Sequence, residues 1–404
     1  MTPTMMTTDD SSEILESVAS DLGCRITSTR LISAAVSGDG YVSGHELELE
    51  AADGARQTQI VYLETRPTQK PRDGVLTLRN EETGDEVAVW LYPSDPALPT
   101  LPTVVYPDAA AVVMRKLGLS AAGLAITLVS YRPGKRAVVR IDSTLTTVYL
   151  KVLIPALVAE LHARYAAWHE AGLAVPATLG WTEDGMVAFA SLAGVPASSV
   201  VSRFVEGESD GFLDAVEALT RSYASVASAG PARPSLAARL GWYERRLTAH
   251  LPSLADEIHG ISRRIDTLLR SGGTPEPVTI HGDLHLGQLF VDPERPEEIT
   301  GILDIDTAGW GDPADDAGAL YAHLVVTALF HIDRDEPREA EQFELLAERW
   351  RQRWRGIPDG GLNARAHAIA ATHLLAHALG GFARPESMVA RAAELVRKDE
   401  NSLT

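Results

Sequence analysis

Two periodicities divide the chain. Through roughly the first 190 residues, apolar positions alternate with polar ones or gather in short β-branched runs; beyond that, they recur every three or four residues. The alternating runs Tyr41–Glu50, Thr58–Glu64, Val75–Arg79 and Glu86–Tyr92 predict strands, with turns at Ser37-Gly38-Asp39-Gly40 and Ala52-Asp53-Gly54. Met1–Ser12 is polar and expected to lack structure, and the proline-rich run Pro93–Pro107 reads as a linker. Three more strands are predicted at Ile126–Tyr131, Ala137–Ile141 and Thr147–Val152, the first two joined by a turn at Arg132-Pro133-Gly134-Lys135. Pro155 opens a helix to about Glu170, because Leu157, Leu161, Tyr165 and Trp168 share one face; Gly172 and Pro176 stop it. From Ser202 onward helical patterns dominate: Phe212–Ala229, Leu236–Leu251, Ile258–Leu269, Ala314–Phe330, Arg338–Trp354 and Ala364–Leu379. One β-type interruption, Val278–Asp306, breaks that series.

The pattern divides the chain into a β-rich module with linker at 1–107, a mixed α/β lobe at 108–194 and a mostly helical lobe at 195–404. A length of 404 residues agrees with two or three domains, and 45% hydrophobic residues are enough for most of the chain to fold. The formal net charge of −19 repels nucleic acid and anionic membranes, so neither is an expected partner. A single cysteine, Cys24, cannot close an intrachain disulfide and fits a reducing compartment. The start of the chain has neither the basic nor the apolar segment of a signal peptide, and Leu324–Phe330 is too short to span a bilayer. The expectation is a soluble cytoplasmic protein, monomeric or a homodimer.

The chemistry concentrates in the β-type interruption, Val278-Thr-Ile-His281-Gly-Asp283-Leu-His285-Leu-Gly-Gln288, followed by Ile302-Leu303-Asp304-Ile305-Asp306. Asp283 and Gln288 are five apart, the spacing of the catalytic Asp and the metal-binding Asn in the protein-kinase loop. Asp304 follows an apolar strand, where kinases keep a second metal-binding Asp. A carboxylate at Asp283 would accept the proton of an acceptor hydroxyl. Magnesium takes oxygen ligands, here the Asp304 carboxylate and the Gln288 amide oxygen. Lys151, near the end of its strand, is the candidate phosphate anchor, with Glu160 on the next helix as its partner. Arg136 and the turn before it could cover phosphates, although one glycine makes a weak phosphate loop. His281 is read as an orienting core histidine. A rival class is a metallohydrolase using His281, Asp283 and His285, but no second His and Asp cluster of suitable spacing is apparent. A catalytically dead binding module is disfavoured by intact Asp283 and Asp304.

His281-Gly-Asp283…Gln288 with Asp304, and Tyr131-Arg-Pro-Gly134…Val138-Val-Arg140 upstream, resemble the aminoglycoside phosphotransferase superfamily. Ile280-His-Gly-Asp-Leu-His-Leu-Gly-Gln288 is most similar to bacterial maltokinases and actinobacterial glucosamine kinases, which carry an extra N-terminal cap domain. The resemblance implies an α+β, two-lobed, protein-kinase-like fold in which residues 1–107 form the β-rich cap. It also implies ATP and Mg²⁺ as cosubstrate and cofactor. After Asp304 the chain departs from maltokinases, reading Asp306-Thr-Ala-Gly-Trp310-Gly-Asp312-Pro-Ala-Asp315-Asp316 where they continue with an acidic Phe-Glu-Gly-Glu-Pro-type run. The departure favours an amino sugar, most simply glucosamine; maltose and aminoglycosides are the alternatives. Asp306, Trp310, Asp315, Asp316 and His285 are the candidate substrate contacts. Asp312 precedes Pro313 and is expected to cap a helix.

Overall fold

A computed structural model describes residues 8–37, 40–65, 75–79, 86–204, 209–228, 230–354, 361–380 and 384–398. The chain divides into two compact units, residues 1–162 with 178–191, and residues 163–177 with 192–404.

The first unit opens with helix α1 (Thr8–Asp21) and continues through β1 (Cys24–Ser37), β2 (Gly40–Ala51), β3 (Arg56–Thr65), β4 (Leu76–Arg79) and β5 (Glu86–Leu91). These strands form an antiparallel sheet of order β1-β2-β3-β5-β4. Leu15, Val18 and Ala19 of α1 pack on Leu47, Leu49, Val61, Leu63 and Val89, so residues 8–12, expected to be unstructured, begin a core helix. Part of the predicted turn at 37–40 lies outside the described residues. The turn at 52–54 forms, with Asp53 Oδ1 accepting the Ala55 N–H at 2.9 Å.

Pro93–Pro107 is not an exposed linker. It contains α2 (Leu101–Val105) and leads into α3 (Pro107–Lys116), which has proline at its first position. Leu98, Leu101, Val104 and Met114 are buried against Val139, Ile141, Val148, Leu150 and Val152. Those partners belong to the second sheet, built from β6 (Ala125–Arg132), β7 (Arg136–Asp142), β8 (Thr147–Leu153), β9 (Thr178–Thr182) and β10 (Met186–Ala190), in the order β6-β7-β8-β10-β9. Helix α4 (Val158–Glu170) follows β8 and ends at Gly172, whose φ of 82° suits a residue without Cβ. The two sheets of this unit meet through aromatic rings: Tyr62 stacks on Trp90 at 5.7 Å and meets Tyr131 edge-on at 5.4 Å. Asp95, buried in the former linker, accepts the Tyr131 hydroxyl at 2.8 Å and the Gly134 N–H at 2.7 Å.

The second unit is helical around two short β pieces. β11 (Val195–Pro196), α5 (Val201–Arg203), α6 (Ser209–Ala224), α7 (Leu240–His250) and α8 (Ala255–Ser271) lead to β12 (Val278–Ile280), β13 (Leu289–Val291), β14 (Ile299–Ile302) and β15 (Gly309–Gly311). Strand β13 lies between β11 and β14, while β12 pairs with β15. Helices α9 (Pro313–Asp333), α10 (Pro337–Trp354), α11 (Leu362–Ala378) and α12 (Pro385–Lys398) complete the unit. Helix α11 is apolar nearly all round and is the central helix, contacting α8, α9 and α12. Gly318 lets α9 approach it closely; a Cβ there would lie 2.9 Å from Ala366 O.

Candidate active site

Strand β12 feeds directly into His281-Gly282-Asp283, and the loop is fixed from behind. Asp316, in the first turn of α9, is 3% exposed. Its carboxylate accepts the backbone N–H groups of His281 and Gly282 at 2.8 and 2.7 Å, and the Tyr223 hydroxyl at 2.7 Å. Burial pushes this carboxyl up, against the hydrogen bonds that favour its charged form. His281 is fully buried; its Nε2–H donates to the Leu303 carbonyl at 2.8 Å, the orienting role expected of it. Gly282 has a φ of 81°, and a Cβ there would meet Thr307 O at 2.7 Å, so only glycine fits the turn.

The loop presents Asp283 partly exposed to solvent. Arg233 Nη2 lies 3.2 Å from its Oδ1, and His323 Nε2 lies 3.8 Å from the same atom. Burial alone would raise the Asp283 carboxyl. The hydrogen bond from His323 and the charge of Arg233 reverse that and hold it well below the usual carboxylate range. Arg233 is itself placed by backbone pairing: its N–H donates to Thr307 O at 3.0 Å and the Ala232 N–H to Trp310 O at 2.9 Å. Its guanidinium also donates to Gly282 O at 3.1 Å.

Asp304 stands on a separate turn. It adopts the left-handed conformation, φ 55° and ψ 45°, and begins a short 3-10 turn at Ile305–Thr307. Asp306 therefore lies on this turn and not on a strand, so strand alternation does not set where its side chain lies relative to Asp304. Helix α4 anchors this turn: Arg164 donates to the Asp306 carbonyl at 2.5 Å, and the N–H groups of Ile305 and Asp304 hydrogen-bond the buried Tyr165 oxygen.

The remaining candidates separate. The Gln288 side-chain oxygen accepts the His285 N–H at 3.2 Å, and its backbone carbonyl accepts the Leu303 N–H at 2.8 Å, so Gln288 braces the loop. His285 Nδ1 accepts the Gly287 N–H at 3.1 Å, and burial beside His323 pushes this imidazole down to about 4. Among the described residues, His281, Asp283 and His285 do not converge as a group of metal ligands. Asp312 caps α9 as expected, accepting the Ala314 N–H at 2.9 Å, and pairs with buried Arg365 at 2.7 Å. Asp315 is buried and accepts the Ser235 hydroxyl; burial, then Asp312 and Asp316, push it up to about 7. Asp316 faces inward, which corrects its reading as a substrate contact, and Asp315 is likewise turned into the protein. Trp310 is 57% exposed on β15, the strand paired with β12.

In the first unit, Lys151 lies on β8 across from Val138 and Val187 and is 6% exposed. Its neighbours Leu150 and Val152 enter the core, so period-two alternation sends Lys151 to the opposite face. Glu160 is exposed on α4 and Arg136 half-buried at the start of β7. The Gly134 N–H, which a phosphate-covering turn would offer, is engaged by Asp95. The sequence reading missed Arg233, His323, His373 and His377. Only the four-residue spacing of the last pair on an apolar helix could have pointed to them.

Residues 125–357, more than half of the 404, match the phosphotransferase enzyme family. Among solved structures, a thermostable mutant of aminoglycoside phosphotransferase APH(4)-Ia in ternary complex with ADP and hygromycin B is 14% identical. It covers 71% of this chain and 97% of its own, with a TM-score of 0.49. Aminoglycoside phosphotransferase APH(3'')-Id from Streptomyces rimosus is 18% identical and covers 65% and 97%, with a TM-score of 0.40. ADP-bound APH(2'')-Ib is 12% identical and covers 72% and 97%, with a TM-score of 0.47. No curated protein matches the chain. With more than half of its residues matched, His281 to Asp304 among them, the chain belongs to the phosphotransferase enzyme family.

Proposed function

We propose that the protein is an ATP-dependent kinase that phosphorylates a hydroxyl of an amino sugar, glucosamine being the simplest acceptor. The observation that carries the reading is Asp283: a carboxylate on a rigid loop, partly open to solvent and held ionised by Arg233 and His323. Such a group accepts the hydroxyl proton as the acceptor oxygen attacks the γ-phosphorus and aims that oxygen. The proton moves to Asp283 and ADP leaves. Lys151, buried on its strand, supports the reading of a phosphate anchor.

The donors fit a hard cation. Asp304 offers a carboxylate on a turn that leaves it partly exposed, and Gln288 keeps one oxygen lone pair beyond its bond to His285. Magnesium bound there would neutralise phosphate charge.

The substrate preference rests on the acidic residues of this region. Asp312, Asp315 and Asp316 are engaged inside the protein, so the reading assigns the amine to Asp283, which is partly open to solvent, and to Asp306 on the neighbouring turn, with exposed Trp310 as a stacking surface. One charged hydrogen bond in place of a neutral one is worth about 1–2 kcal/mol, so glucosamine should exceed glucose by roughly 5- to 30-fold in kcat/KM. A panel of glucosamine, glucose, maltose and aminoglycosides, scored for ADP release with ATP and Mg²⁺, tests this. Equal turnover of glucose and glucosamine, or a clear preference for maltose, rejects the amino sugar. Asp283→Asn should fold normally and lose roughly 10²–10⁴-fold in turnover; wild-type turnover rejects the base.

A further inference from the structure

Beside Asp283 the second unit gathers three imidazoles, of which the proposed reaction uses only His323, to hold Asp283 ionised. His373 and His377 are four apart on α11 and so share a face, and His323 on α9 meets them. One ring nitrogen from each of the three lies within 4.8 Å of the others. Ring centroids of His323 and His377 are 5.0 Å apart, and those of His323 and His373 are 6.1 Å apart. A cavity of ≈190 Å³ lined by His285, Gly287, His323 and Thr327 reaches one member of this cluster, His323.

We propose that His323, His373 and His377 form a binding site for a transition-metal dication such as Zn²⁺ or Co²⁺, separate from the oxygen ligands offered at Asp304. Nitrogen-rich sites select these ions over magnesium. Tetrahedral zinc at about 2.0–2.1 Å from each nitrogen needs nitrogens roughly 3.4 Å apart. Small rotations of the three rings bring them there, with the fourth position open to water or to Asp283. The opposing charge is Arg233, 3.2 Å from Asp283 and partly exposed, which can turn outward when the ion enters.

Titration of the full chain with Co²⁺, without nucleotide, reads the site directly. The expected result is one equivalent bound with the visible d–d absorption of a nitrogen-rich site, bleached by equimolar Zn²⁺ and unaffected by excess Mg²⁺. Absence of that absorption overturns the proposal. X-ray absorption at the zinc edge of the wild type should count three imidazoles; one or none overturns it without any variant. His373→Gln and His377→Gln should each weaken Co²⁺ at least tenfold, and unchanged affinity in well-folded variants assigns the metal elsewhere. If the kinase reading also holds, Zn²⁺ at constant Mg²⁺ should inhibit ADP release by engaging Asp283, at least tenfold less in His373→Gln. Metal binding is read spectroscopically whether or not the chain turns over. Failure of the kinase reading shows instead as no ADP release from the zinc-free protein.

Discussion

Asp283 and Asp304 stand on two tight turns of the same unit, and different chemistry holds each turn. Behind Asp283 the anchor is another carboxylate, Asp316, which takes two backbone N–H groups out of a buried environment. Behind Asp304 the anchors are a phenol and a guanidinium, Tyr165 and Arg164, carried by α4. The first arrangement sets one negative charge close behind another, and Arg233 and His323 then keep the outer one ionised. The second holds the Asp304 backbone in the left-handed region through these neutral and cationic partners. On the proposed reading, a carboxylate that accepts a proton and one that meets a cation share one unit because their supports differ.

Removing Asp316 should break the first turn most severely. Asp316→Ala leaves the N–H groups of His281 and Gly282 and the Tyr223 hydroxyl buried without acceptors. At roughly 1–3 kcal/mol for each of the three unsatisfied groups, the loss is about 3–9 kcal/mol. Thermal and urea unfolding should show the second unit melting early, with phosphotransfer lost because the loop is no longer placed. A variant as stable as wild type would mean that water or relaxation satisfies these groups and that Asp316 is no anchor.

A smaller effect is expected at Asp315, which shares the start of α9 but not the loop contacts. Its folded value is raised from 3.8 to about 7, so between those limits the native state binds more protons than the unfolded state. Stability from this group is complete below about pH 4 and is lost as pH rises through about 7, by at most about 4 kcal/mol. Asp315→Asn stays neutral throughout and can still accept from Ser235. It should match wild type near pH 4, exceed it in melting temperature at pH 8, and flatten the slope between. Parallel pH profiles would place the titration elsewhere.

The Asp283 loop was legible because its residues are local: His281, Asp283, Gln288 and Asp304 sit at spacings that one hairpin fixes. Their supports were not, because Asp316, Tyr165 and His323 reach the site from other helices and Arg233 from a separate loop, and only packing brings them there. The same distinction holds for the fold. Strands β2, β3 and β5 showed themselves by alternation, but β1 is an edge strand exposed along most of its described length, and its bulges near Thr27 and Ile32 break what period it has. The segment from Pro93 to Pro107 looked like a linker because prolines hide the apolar set Leu98, Leu101 and Val104, which only the second sheet reveals as core. Helix α12 escaped because glycine, proline and charged residues precede and interrupt its apolar positions, although Met388, Val389, Ala392 and Val396 are buried.

The gentlest change sharpens the comparison at the second turn. Asp304 at φ 55° is in a region that costs an ordinary L-residue about 1–2 kcal/mol, less for Asp, and glycine almost nothing. Asp304→Gly relieves that strain but enlarges the freedom of the unfolded chain, which returns about 0.4–1 kcal/mol of it. Its stability should therefore lie within about 1 kcal/mol of wild type. Asp304→Ala removes the same carboxylate and keeps the strain, so it should be less stable than the glycine variant by up to about 1 kcal/mol. Both should be inactive at saturating Mg²⁺, since each lacks the metal carboxylate. Measuring the pair by urea unfolding separates backbone from charge, because the lost carboxylate contacts cancel in their difference. An alanine variant more stable than the glycine variant would show that Tyr165 and Arg164 hold this turn without strain, and that its left-handed residue has no part in presenting Asp304.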